Sequence, residues 1–397
     1  MKYVNADDTR IVIMRSLNEI EKIRNAWEAM QWHPNSDIDQ YIEVLKSGRI
    51  EAEPYVIVLR DSSEIRAILV GRLGKISFDI KFGYKTVMQT QVKALTFIYG
   101  GYLGDESEVN CKTFIRHVNS RLKSGDADMA YFNSVRLKAN LYPAITSVPN
   151  LLCRDKAIIT NVHWMMNMPS SIEEFYLGMT AKHRYWLKRI PKVLEKEFPG
   201  KVKYVYIKNV SDVDCLCEDA EKVVRTTYQR SLGVGFRDCA DIRSRMRRYA
   251  EMDRLRAYII YIDGQPAAFW IGNKYKNSFH LDYTSFDPDY RKYEVGTILF
   301  MKMLEDLADN NTGMIKNIDF GLGDAQYKQR FGDSNWDEAS LCIFSPTSKG
   351  VLLNTARTCN SLVWNTAVKM LERFKLKDMV KRKWRQKLSQ KNETANG

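Results

Sequence analysis

Apolar and polar positions along this 397-residue chain switch between a period of two and a period near 3.6, and the switches come in the same order twice. Near the start, TRIVIMR predicts a strand and Leu17 to Met30 an amphipathic helix. Tyr55–Arg60 and Ile65–Arg72 then predict a hairpin across the polar turn Asp61-Ser62-Ser63. The apolar run VKALTFIYGGYLG, a helix over Glu106–Lys123 and a strand ADMAYFNSV close the first pass. A second pass opens with helices over Asp212–Ser231 and Asp238–Ala250. The clearest hairpin follows, LRAYIIYID and PAAFWIGNKY around Gly264-Gln265, and then the strand SFHLDYTSF. A loop leads into a helix carrying Ile298, Leu299, Met301, Met303, Leu304 and Leu307, after which come the strand IKNIDFGLG, a short helix over Gln326–Arg330 and the strand EASLCIFS. The helical, basic segment Ser170–Pro199 joins the passes. The pattern predicts an α+β fold of two similar units, with mixed, mostly antiparallel sheets flanked by helices. The expected spans are 1–169, 170–350 and a basic amphipathic helix and tail over 351–397.

Composition sets the setting. The chain is 45% hydrophobic and 27% charged, ordinary for a globular protein, and no apolar stretch approaches the ~20 residues that span a bilayer. The N-terminus lacks the apolar block of a secretory signal. Seven scattered cysteines form no disulfide or zinc framework, so a reducing, cytoplasmic location is expected. The net charge of +13 is concentrated, with ten Lys and Arg against Glu372 and Asp378 between Lys369 and Lys391. Interleaved with Trp and Phe, that tail has the composition of a helix on an anionic membrane surface, or of one packed on its own domain. The cations do not line a groove, and no nucleic-acid module is recognisable.

Candidate chemistry gathers in the second pass. Arg291-Lys-Tyr-Glu-Val-Gly296-Thr297 runs into a helix start, where unpaired amides and the positive end of the helix dipole suit a pyrophosphate. This stretch resembles the acyl-CoA loop of the GNAT acyltransferases, Q/R-x-x-G-x-G/A, with Glu294 in place of the middle glycine. The stretch Asp319-Phe-Gly321-Leu-Gly323-Asp324-Ala-Gln-Tyr327-Lys328-Gln-Arg330-Phe331-Gly332 resembles the D-x-G-x-G-D-x-x-Y-K-x-R-F-G signature of the cellulose-biosynthesis and FemAB-like branch of that superfamily. Upstream, Arg184, Leu187, Lys188 and Arg189 are similar to the branch's basic helix. The resemblance implies a tandem GNAT fold, its N-terminal unit degenerate and its C-terminal unit competent. Tyr99-Gly-Gly-Tyr-Leu-Gly104, with no arginine in register, is not expected to bind CoA.

The same resemblance implies acyl transfer from acyl-CoA (acetyl-CoA) to an amine or hydroxyl of a small-molecule or glycan-like acceptor, in envelope or polysaccharide biosynthesis, without a metal. Arg291, Val295, Gly296, Thr297 and Ile298 would hold the CoA, with Tyr327 and Lys328 on its phosphates or on the acceptor. In this superfamily the fourth and fifth strands splay apart beside the thioester. Period-two alternation puts His280, Asp282 and Thr284 on one face of the fourth strand, and Asp319 ends the fifth. His280, Asp282 or Asp319 would then take the acceptor's proton, and each also has an ordinary structural reading. Two other activities fit the sequence: a FemAB-like aminoacyl-tRNA-dependent transferase, and a non-catalytic scaffold at the inner membrane face.

Overall fold

The computed structural model describes residues 9–48, 50–62, 64–83, 85–227, 235–309 and 315–373. Its elements fall into two units, residues 9–162 with 336–373, and residues 163–335. The first unit opens with strand β1 (Thr9–Met14) and helices α1 (Leu17–Glu21), α2 (Arg24–Met30) and α3 (Ile38–Lys46). Strands β2 (Ala52–Asp61), β3 (Glu64–Phe82) and β4 (Lys85–Gly104) follow, then α4 (Glu108–Lys123), β5 (Met129–Arg136) and α5 (Leu141–Ser147). Strand β6 (Ile159–Asn167) leads into α6 (Ile172–Leu177), α7 (Ala181–Glu197), β7 (Val202–Ile207), α8 (Val213–Arg225) and α9 (Ala240–Glu251). Next come β8 (Leu255–Ile262), β9 (Gln265–Tyr275), β10 (Ser278–Phe286), α10 (Val295–Asp309), β11 (Asn317–Leu322), α11 (Gln326–Phe331), β12 (Ser334–Phe344) and α12 (Ser348–Arg373).

Strand order is the same in both units. In the first it runs β1-β2-β3-β4-β5-β12 and in the second β7-β8-β9-β10-β11-β6. Each has three antiparallel pairings, one parallel pairing and a final antiparallel one. The sixth strands are exchanged along the chain, since β12 completes the first unit and β6 the second. That exchange is why the units do not divide at a single point near residue 169.

Both sheets are covered on two faces, which explains why their central strands read as unbroken apolar runs rather than alternating ones. On β2, Tyr55, Ile57 and Leu59 pack with Phe114 and Val118 of α4. Val56 and Val58 point the other way, to Trp27 of α2 and Tyr41 of α3. In the second unit Tyr258, Ile260 and Ile262 of β8 meet α7 and α10, while Leu255, Ala257 and Ile259 meet α8 and α9. The expected single helix over residues 17–30 is two, because α1 ends in a Lys22 cap that bonds back to the Glu19 and Ile20 carbonyls. Strands β3 and β4 run well beyond the expected hairpin, and α12 packs on that extension. Trp364 stands edge-on to Phe82 at 5.0 Å, and Asn360 donates to the Lys81 carbonyl. The rest of the basic tail, residues 374–397, lies outside the described residues.

Candidate active site

Strands β10 and β11 pair in parallel through only three rungs, Ser278 with Asn317, Phe279 with Ile318 and His280 with Asp319. Beyond the last rung they part, β10 staying with β9 and β11 with β6, so His280 and Asp319 stand at the apex of the splay. Their side chains meet there, His280 Nδ1 lying 3.3 Å from Asp319 Oδ2. The other carboxylate oxygen, Oδ1, lies 2.7 Å from His163 Nε2 of β6 and accepts the Gly321 amide at 2.7 Å. Gly321 takes φ +70 and sits at a register shift between β11 and β6, which lets the chain turn tightly enough to aim its N–H back at the carboxylate. Burial pushes the Asp319 carboxyl up, but hydrogen bonds from His163 and His280 overcome it and hold the group well below the usual carboxylate range. His163 is 1% exposed and His280 13% exposed by side chain, and the His280 Nε2 atom is itself buried.

His163 is absent from the sequence-derived set. Its strand, ITNVHWMMN, lies in the stretch between the two readable passes, and a histidine among apolar neighbours there was the available signal. Asp282 departs from simple alternation. A bulge between Leu281 and Tyr283 leaves Asp282 opposite no residue of β9. At the same place Gly272 lets the strands close up, for a Cβ there would stand 2.3 Å from the His280 carbonyl oxygen. The Asp282 carboxylate accepts from Asn273 Nδ2 at 3.2 Å, and burial pushes its pKa up despite the pull of Arg245, Asn273 and His280. Arg245 of α9 also donates to the Tyr283 hydroxyl at 2.6 Å. Thus His280, Asp319 and His163 form one hydrogen-bonded array, with Asp282 beside it on the Arg245 side.

The expected CoA residues occupy the head of α10. Val295 and Ile298 bury their side chains completely, so only their backbone can meet a ligand. Gly296 has room, since an added Cβ would meet nothing nearer than the Phe286 ring at 3.8 Å; packing does not require glycine there. Arg291 is exposed in the preceding turn. Glu294, in place of the loop's middle glycine, still adopts the left-handed backbone that glycine favours, with φ 55 and ψ 38. Its carbonyl accepts the Thr297 and Ile298 amides, and its carboxylate accepts the Thr297 hydroxyl at 3.0 Å. Arg330 of α11 leans over the same corner, 3.4 Å from that carboxylate and stacked on Trp186 at 5.0 Å. The helix head therefore carries its own anion.

Tyr327 and Lys328 face inward. The Tyr327 ring packs edge-on against Trp270 at 5.1 Å and near Phe320, and burial pushes its hydroxyl up. Lys328 is buried and donates to the Gly321 and Leu322 carbonyls at 3.0 and 2.7 Å; burial lowers its pKa to about 8. It pins the turn that carries the Gly321 amide. The signature's glycine and lysine thus build one support for Asp319.

The first unit repeats the splay with different apex chemistry. Strands β4 and β5 pair in parallel from Ala94–Met129 to Phe97–Phe132 and then part. At that last rung the Phe97 and Phe132 rings stack at 4.7 Å, where the second unit has His280 and Asp319. Tyr99-Gly-Gly-Tyr-Leu-Gly104 lies inside β4 rather than at a helix start.

Residues 181–329 match the family model of the acetyltransferase (GNAT) domain. No curated protein matches the chain by sequence. Among solved structures, FemX is similar at a TM-score of 0.53 and 9% identity, covering 83% of this chain and 96% of its own. A tandem GNAT protein from the clavulanic acid biosynthesis pathway is similar at 0.44 and 11% identity, covering 86% and 99%. A conserved protein of unknown function from Bacteroides thetaiotaomicron stands at 0.45 and 9%, covering 84% and 100%. The chain has a tandem GNAT fold, and most of its second unit is similar to the acetyltransferase (GNAT) domain.

Proposed function

We propose that the second unit transfers an acyl group from an acyl-CoA thioester to the amine or hydroxyl of a small-molecule or glycan-like acceptor. The observation that carries this reading is the His163–Asp319–His280 array at the apex of the β10–β11 splay. Asp319, kept ionised by its donors, holds His280 through Nδ1 and directs Nε2 to the far side of the ring. His280 takes the proton as the acceptor's nitrogen or oxygen bonds to the thioester carbon. The tetrahedral oxyanion collapses, the C–S bond breaks, and the thiolate leaves with a proton returned by the imidazolium or solvent. CoA would lie with its pyrophosphate toward the α10 head, against the Gly296 backbone and Arg291. Incubating the full chain with acetyl-CoA and a panel of amines and amino sugars, with free thiol as readout, tests this. Acceptor-dependent thiol release that His280→Gln abolishes supports it, and no release with any acceptor counts against it.

Glu294 favours a second reading. A carboxylate on the α10 head opposes a pyrophosphate, which suits an acyl donor recognised elsewhere, such as an aminoacyl-tRNA. Failure of acetyl-CoA to raise the melting temperature, together with retardation of aminoacylated tRNA, would select it.

A further inference from the structure

The splay of the first unit opens into a cavity of about 440 Å³, within the range of small-molecule sites. Trp32, Phe97, Tyr99 and Phe132 stand in its wall, and its charged lining residues are Glu106, Arg136 and Glu338. Glu338 stands opposite Arg136 in the β5–β12 register, with its side chain fully buried. Its Oε1 accepts from Trp336 Nε1 at 2.6 Å and from the Tyr99 hydroxyl at 3.2 Å, and lies 3.8 Å from Arg136 Nε. The Arg136 guanidinium stacks over Trp336 at 4.1 Å and stands 5.8 Å from the Trp32 ring centre, so its position is set by the aromatic pair.

We propose that this cavity binds a small organic cation, an ammonium or guanidinium group carried on an apolar body. Two carboxylates and one guanidinium line the cavity beside the aromatic rings, so its charged wall is acidic on balance. Aromatic faces attract cations and reject anions, and the same walls accept the ligand's apolar part. Glu106 sits at this imbalance. Its half-buried carboxyl is pushed up by burial against the pull of the Leu141 amide and Arg136, as expected of a group that a ligand cation would complete. At the apex the stacked Phe97 and Phe132 rings give the ligand's apolar part a flat wall.

The test is calorimetric titration of the full chain with phenethylammonium, 2-phenylethanol and 3-phenylpropionate, which share a ring and differ in charge. Phenethylammonium is expected to bind about tenfold or more tightly than the other two. Glu338→Gln and Glu106→Gln are each expected to weaken it by about the same factor, and Asp319→Asn to leave it unchanged. Glu106→Gln keeps the test decisive if Glu338→Gln does not fold. The inference is overturned if the alcohol or the acid matches the amine, or if none of the three binds in the millimolar range. It also fails if Asp319→Asn abolishes binding while the Glu106 variant retains it, since the amine would then sit in the second unit.

Discussion

His280 and Asp319 occupy the last shared rung of two parallel strands, so the backbone register itself sets the distance between ring and carboxylate. His280→Gln is therefore expected to lower turnover by about 10²–10⁴-fold with little change in melting temperature. Asp319→Asn removes a buried acceptor of three donors and is expected to lower both. Parallel measurements of thiol release and thermal unfolding separate the two outcomes.

Asp319 also predicts how stability responds to acid. Its folded pKa is depressed, so its contribution is complete above the unfolded value near 3.9 and is lost as pH falls toward the folded one. Wild type is expected to lose stability more steeply than Asp319→Asn between about pH 5 and pH 2.5, the two curves converging at the acid end. Denaturant midpoints across that range provide the check.

Lys328 predicts the same sign in alkali. Its pKa of about 8 lies below the unfolded lysine value, so between the two the unfolded chain holds more protons than the folded one. Stability from this group rises with pH through that window. Lys328→Met strands the Gly321 and Leu322 carbonyls and is expected to cost about 2–4 kcal/mol at pH 7. The gap to wild type should widen from about pH 8 to pH 10.5. Unfolding of both proteins at matched pH values measures it.

At the head of α10, Glu294→Gly removes a carboxylate and relieves a left-handed backbone, so about tenfold tighter acetyl-CoA binding is expected. Gly296→Val should weaken that binding strongly without changing the melting temperature, because its surroundings have room for a side chain. If neither variant alters affinity in a calorimetric titration, the pyrophosphate does not sit there.

The tail remains a proposal about surfaces. Ten cations over Lys369–Lys391 predict salt-sensitive association with anionic vesicles, at about 1 kcal/mol for each basic residue near the surface. Among the described residues no helix is long and apolar enough to cross a membrane. Removing residues 374–397 should abolish vesicle sedimentation and leave acetyl-CoA affinity intact. Full-length protein that ignores such vesicles at low salt would end this idea.

Much of this architecture is readable in the sequence because the second unit states its periods plainly. The hairpin around Gly264 and the helix from Val295 appear where apolar spacing and turn residues place them, and the strand expected to end at Asp319 runs on to Leu322. The Asp282 bulge is not readable, since alternation carries no mark of an extra residue on one strand. His163 is hidden for another reason: its role exists only because β6 pairs with β11, a partner more than a hundred residues away. Lys328 shows how a signature lysine can match a phosphate-binding expectation by position while its ammonium holds two carbonyls of its own loop.

The exchange of sixth strands sets a schedule for the chain as it leaves the ribosome. When β5 has emerged, the strand that will cover its outer edge is not yet made, because β12 follows all of the second unit's strands. An open strand edge is a template for unwanted pairing. The first unit must therefore wait, incompletely closed, until translation has passed Phe344, and only the second can finish its sheet early. A fragment cut near residue 169 would lack β12 and leave the β5 edge without that partner.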